Sequence, residues 1–216
     1  YQEYVIFNTM ILPQLIQAVI LILIVLISLS IHEFAHAAIA SLFGDHTARR
    51  EGRMSINPIK HWDPVGTTLL VGLIFLYSFG LRVPNLGWGK PVPVDEGNFE
   101  NPRWHGLQTA LAGPLSNAVL AVIIALLGRS FGATGLAYDI ILLAVNINIF
   151  LMFFNLLPIP PLDGSRILRL FLPEETYFAL ATNPVIFYML IFGALFFLSD
   201  PLQVATHRIT ALLVGG

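Results

Sequence analysis

Cysteine is missing from the chain. No disulfide can brace it, and any metal site must be built from His, Asp or Glu rather than thiolates. Charge is scarce as well: Asp, Glu, Lys and Arg make up 11% of the 216 residues, against about 25% in soluble domains. With 56% hydrophobic residues and a mean hydropathy of +0.77, its solvent is mostly lipid. The formal net charge is −2 and no basic surface emerges, which argues against nucleic acid as a partner. There is no internal repeat and no low-complexity tail. The first apolar run is too long for a signal-peptide core and has no small-residue cleavage pattern after it.

What the chain does have is long apolar runs, and one of them carries chemistry. His32-Glu33-Phe34-Ala35-His36 lies inside a run from near Leu12 to near Phe43. Two imidazoles and a carboxylate are expensive in a membrane helix. On a helix, residues four apart leave the same face, so His32 and His36 can grip one metal ion. Glu33, one residue round, can reach a water on that metal. This is the H-E-x-x-H pattern of zinc hydrolysis.

Residues 1–11 are mixed and suit the membrane interface. Leu12 to Phe43 would run about 48 Å as a helix, longer than the apolar layer of about 30 Å, and Gly44-Asp45 ends it. Residues 45–63 are polar. Thr67 to Phe79 is apolar again but at the short limit for a span. Within the Pro- and Gly-rich stretch 82–104, residues 88–94 (WGKPVPV) alternate and look like an extended edge. They suit either a clamp for an unwound substrate or a plain hairpin. Leu107 to Leu127 is an apolar helix containing Gly113-Pro114-Leu115-Ser116-Asn117, where small residues permit close helix approach. Leu136 to Leu157 is a further helix, with Asn146, Asn148 and Asn155 too many for a face that meets only lipid. Pro158 to Gly164 breaks it. Broken backbone at membrane depth must be buried or line a wet cavity, which marks Asp163 as part of a site. Ser165 to Leu172 can form a short helix. Pro184 to Leu198 is the last apolar span, followed by a short tail.

Topology follows from asking His32, His36 and Asp163 to lie at one depth. If Thr67–Phe79 crossed the membrane, Asp163 would end on the far side from the histidines. If that segment dips in and returns, the three meet. Lys and Arg test this independently, because cytoplasmic loops carry their excess. In the non-crossing arrangement Arg49, Arg50, Arg53, Lys60, Arg82, Lys90, Arg103, Arg166 and Arg169 share one side, against Arg129 and Arg208. The crossing arrangement leaves no clear bias. The expectation is an all-α polytopic membrane protein with about four spanning helices, a re-entrant or interfacial segment at 64–81 and a short β-like edge segment. It forms a single domain over 1–216, with a catalytic core of about 12–172, an additional transmembrane helix at 184–199 and the site toward the cytoplasm.

A catalytic zinc commonly keeps three protein ligands and one open position. His46, His61, His105 and His207 read as surface or interface histidines, which leaves Asp163 as the third ligand or as the N-cap of the helix after it. Glu33 would be the general base. Asn155, just before the break, is either an oxyanion donor or a helix-end cap.

Taken in order, HEFAH, Gly52-Arg53-Met54-Ser55-Ile56-Asn57-Pro58, Gly113-Pro114-Leu115-Ser116-Asn117 and the block from Asn155 to Gly164 (NLLPIPPLDG) resemble the site-2 protease family of intramembrane zinc metalloproteases, in its small prokaryotic form. The likeness covers most of residues 28–172. It implies one Zn2+ held by His32, His36 and Asp163, with Glu33 activating water. It also implies transmembrane protein substrates cut within the bilayer, close to the cytoplasmic face of the cell membrane. The family's asparagine roles would fall on Asn117, toward substrate, and on Asn155. The sequence departs from many relatives in showing no spanning helix ahead of HEFAH and no PDZ-like or nucleotide-sensing domain. The rivals are a non-catalytic metal carrier or scaffold of the same fold, and a membrane protease of the prenyl-protein type with Glu as third ligand.

Overall fold

The computed structural model describes residues 11–83 and 87–215; residues 1–10, and the interfacial placement expected for them, lie outside. The longer helices are α1 (Leu12–Leu42), α2 (Gly66–Ser78), α3 (Pro102–Ser130), α4 (Leu136–Asn155), α5 (Glu174–Thr182), α6 (Pro184–Phe197) and α7 (Ser199–Val214). Single turns at Thr47–Arg50, Pro58–His61, Glu96–Asn98, Asp163–Ile167 and Leu168–Phe171 connect them.

α1 is built inside out. Its buried residues are Ala18, Ser28, Ser30, His32, His36, Ala37 and Ala40. Leu15, Ile16, Val19, Leu23 and Ile27 stay exposed. Small and polar residues toward the protein, with large apolar ones outward, are what lipid selects, because burying Leu against Leu gains nothing over burying it in hydrocarbon. α3 repeats the pattern: Ala110, Gly113, Ala121, Ala125 and Gly128 are buried, while Leu115, Val119, Ile123 and Leu126 are exposed. α1 ends where Asp45 N–H bonds back to the Ala40 carbonyl across Gly44, whose φ of 95° is the left-handed conformation that favours glycine.

α1, α3 and α4 are long and apolar enough to cross a membrane, and α5 with α6 would make a fourth span if their 68° bend is counted within one crossing. The protein is therefore a multi-pass membrane protein. α2, with 13 residues, falls short of the roughly 20 needed. The chain leaves for α2 and returns beside its own start: Thr67 Oγ1 donates to the Trp88 carbonyl and Lys90 N–H to the His61 carbonyl. The far end of this excursion thus lies back against the residues from which it leaves.

The extended edge expected at 88–94 forms no strand; none occurs among the described residues. Pro91 and Pro93 have no N–H for a ladder. The remaining backbone groups go elsewhere: the Lys90 carbonyl accepts from Arg53, and Val92 N–H donates to Glu33. The tail expected after residue 198 is instead the helix α7. It runs antiparallel to α4, with Thr210 near Asn146 and Val214 packed among Ala121, Ala125, Val145 and Ile149.

Candidate metal centre

His32 and His36 project from the buried face of α1 toward α3. Gly113 is what lets α3 come this close: a Cβ there would overlap both imidazoles. Pro114, inside α3, offers no N–H to the Ala110 carbonyl and loosens that turn. Beside it, the Thr109 carbonyl accepts from His36 Nδ1 at 2.8 Å.

The hydrogen bonds fix both tautomers. A carbonyl only accepts, so the proton of neutral His36 is on Nδ1. Asn117 donates through Nδ2 to Asn148 Oδ1 at 2.9 Å and toward the Ser28 carbonyl, so its Oδ1 is the atom facing His32 Nδ1, at 2.7 Å. His32 is thus also protonated on Nδ1. Both Nε2 atoms then present bare lone pairs, and they lie 3.0 Å apart. Asp163 Oδ2 lies 3.0 Å from one and 3.4 Å from the other. It is buried and has no hydrogen-bond donor. Three lone pairs converging in a buried space repel one another unless a cation sits among them. Ligands around a tetrahedral zinc with bonds of about 2.0–2.1 Å lie roughly 3.3 Å apart, and this triangle fits that spacing. The donor set of two imidazoles and a carboxylate suits a single Zn2+.

Asp163 reaches the site because the chain folds back after α4. Gly164 packs on the Leu156 and Leu157 backbone so tightly that a Cβ would collide with it. Asp163 is the first residue of its turn and caps nothing; the N-cap is Leu162. The capping alternative is thereby removed. Glu33 Oε2 accepts Val92 N–H at 2.7 Å, which fixes the carboxylate on the side of α1 toward residues 88–94.

The other sequence candidates fall differently. Asn117, expected toward substrate, is fully buried with its amide committed to His32, Asn148 and Ser28, which leaves no group for a substrate. It orients His32 instead. Asn155 Nδ2 donates to the Leu151 carbonyl of its own helix. His61, expected at the surface or an interface, is buried and bonded to the Ser55 carbonyl. His46 pairs with Ser41, His105 stacks on Phe43 and His207 approaches Asn146. The sequence reading missed Ser28 and Thr109. Ser28, one turn before His32 on the same face, carried a usable signal; the Thr109 carbonyl carried none.

A sequence profile of peptidase family M50 matches residues 132–198. The chain is 39% identical over 163 residues to YwhC of Bacillus subtilis (strain 168), a match covering 71% of this chain and 69% of YwhC. The chain belongs to peptidase family M50. Two Rip2 proteins are similar to it: one from Mycolicibacterium smegmatis, 34% identical with 72% of this chain and 58% of Rip2 covered, and one from Mycobacterium tuberculosis (strain ATCC 35801 / TMC 107 / Erdman), 33% identical with 82% and 66% covered. YwhC and both Rip2 proteins bear the name of candidate zinc metalloproteases. No solved structure gives a significant match. As a family M50 member of the site-2 protease type, the protein is a zinc-dependent metalloendopeptidase. The M50 profile contains Asp163 but not HEFAH, so the contacts of His32 and His36 with Asp163 join the profiled part of the chain to α1.

Proposed function

We propose that the protein hydrolyses peptide bonds of transmembrane protein segments near the cytoplasmic face of the cell membrane, with His32, His36 and Asp163 holding one zinc ion and Glu33 acting as general base. The observation that carries this reading is the convergence of two unprotonated Nε2 atoms and one donorless carboxylate oxygen. Zinc held there supplies Lewis acidity that brings the pKa of water toward about 7.

The residues of the chain do the rest. Thr109 and Asn117 hold the two imidazoles in the tautomer that leaves Nε2 free. Val92 N–H occupies Glu33 Oε2, which leaves Oε1 to take a proton from the attacking water. Glu33 then returns that proton to the leaving amine nitrogen as the C–N bond breaks. Asn155 Nδ2 spends one of its two hydrogens on the Leu151 carbonyl, and the second is the one it would offer to the developing oxyanion. A helical substrate must unwind before this can happen, because its own hydrogen bonds cover the scissile carbonyl. Two observations support a cytoplasmic site: the gathering of Lys and Arg on the HEFAH side, and the return of the chain from α2 to its starting level.

Glu33→Gln tests the assignment. It keeps the size of the side chain and the acceptor for Val92 but removes the base. Zinc content is expected to stay at wild-type level while cleavage of a transmembrane test substrate falls by at least about 100-fold. Cleavage at the wild-type rate would remove Glu33 from the mechanism.

A further inference from the structure

Among the described residues outside the metal centre, the carboxylate with the most charged partners is Glu96. It sits in the turn Glu96–Asn98, between the 88–95 segment and α3. One carboxylate oxygen meets Arg166 and the other meets Arg169. These arginines follow Asp163 by three and six residues, in the two turns that carry it back to the histidines. Arg169 is buried, its second arm reaches Glu174 at 2.9 Å, and its guanidinium lies over the rings of Tyr177 and Phe178. The ion cluster rests on bare backbone of α3: a Cβ on Gly106 would come within 3.2 Å of Glu96 Oε1. One turn further along α3 is Thr109, the carbonyl partner of His36.

The loop that bears Glu96 is tied to α1 on both sides of the second histidine. Before Glu96, Val92 N–H holds Glu33. Around Glu96, Asp45 accepts from Asp95 N–H at 2.8 Å and from Asn98 Nδ2 at 2.9 Å. Residues 92–98 therefore form a strut. Both ends are fixed to α1 and to Asp45 just beyond it, and Glu96 between them grips the turns that carry Asp163. A buried ion cluster is weak evidence for stability in itself, because desolvation offsets much of its attraction. Its use here is geometric.

We propose that Glu96 is a positioning residue for the metal centre: by gripping Arg166 and Arg169 it sets how far Asp163 reaches toward His32 and His36. This rests on the reading of those three residues as ligands.

The experiment compares the full chain in detergent as wild type, Glu96→Gln, Arg166→Gln, the double variant, and Glu100→Gln as an exposed neighbour. Two quantities are read: zinc affinity by competition with a chromogenic chelator, and the visible absorption spectrum of the cobalt-substituted protein. Glu96→Gln and Arg166→Gln are each expected to weaken zinc binding about 10-fold, the lower end of the effect of groups that orient ligands. The cobalt bands should shift, the double variant should be no worse than either single one, and Glu100→Gln should match wild type. If Glu96→Gln yields no folded protein, Arg166→Gln, at a half-exposed position, decides alone. Wild-type affinity and cobalt spectrum in a folded Glu96→Gln or Arg166→Gln, beside an Asp163→Ala that has lost zinc, overturn this proposal alone. A wild type that takes up no zinc, or an Asp163→Ala that keeps it, overturns the ligand reading and the proposal together.

Discussion

Two histidines four residues apart are common on helices. What suits His32 and His36 to hold a metal is the second nitrogen of each ring, spent on Asn117 and on the Thr109 carbonyl. Asp45, at the end of the same helix, shows the opposite use of a carboxylate. Burial alone would raise its pKa, but Thr47 Oγ1, Asp95 N–H, Thr47 N–H and Asn98 Nδ2 together hold it below the ordinary carboxylate value. A group whose folded pKa is depressed stabilises the fold fully above its unfolded pKa, about 3.9, and loses that contribution as pH falls through the folded value. Asp45→Asn is expected to cost about 2 kcal/mol at neutral pH, as charge-assisted bonds are lost. The gap between variant and wild type should begin to narrow below about pH 4 and close as pH falls through the depressed folded value. Thermal melts in detergent across that range check it; a gap that stays constant down to acid pH would mean the charge plays no part.

At the scale of elements, one polar knot holds three apolar helices in register. Asn148 of α4 accepts from Asn117 of α3 and donates to Ser28 Oγ of α1 at 2.9 Å. Asn148→Ala leaves Asn117 and Ser28 each short of a partner. It should cost about 1–2 kcal/mol, toward the upper end of interhelical bonds in membranes, and loosen His32. Unfolding in a denaturing detergent measures the first effect and zinc affinity the second; no change in either would deny the knot its role. The three spans α1, α3 and α4 and the polar face of α4 were legible in the sequence, because apolar length and asparagine spacing are local signals; the span expected at 184–199 is instead the 14-residue α6, bent 68° from α5. HEFAH and the break at Pro158–Gly164 were legible for the same reason. α7 was not: Gln203, His207 and Arg208 look like a polar tail until α4 and α3 are present for Thr206, Thr210 and Val214 to pack against. Nor was the tether from Val92 to Glu33, since the partners of extended backbone are set by tertiary structure alone.

At the scale of the whole molecule, the distribution of small residues inward and large ones outward makes sense only in lipid, and the orientation rests on where Lys and Arg gather. The absence of cysteine makes this simple to test, because a single introduced thiol is the only one. Arg82→Cys and Phe131→Cys, both at exposed positions, are expected to label from opposite faces in intact cells, with Phe131→Cys open to an impermeant reagent and Arg82→Cys protected. Labelling of Arg82→Cys from outside would mean that α2 crosses the membrane. If two stretches more than a hundred residues apart close on a single ion, zinc analysis of purified wild type and Asp163→Ala will show it. One zinc per chain is expected in the wild type, and little or none in the variant, after dialysis against a weak chelator. Equal, tightly held zinc in both would contradict it.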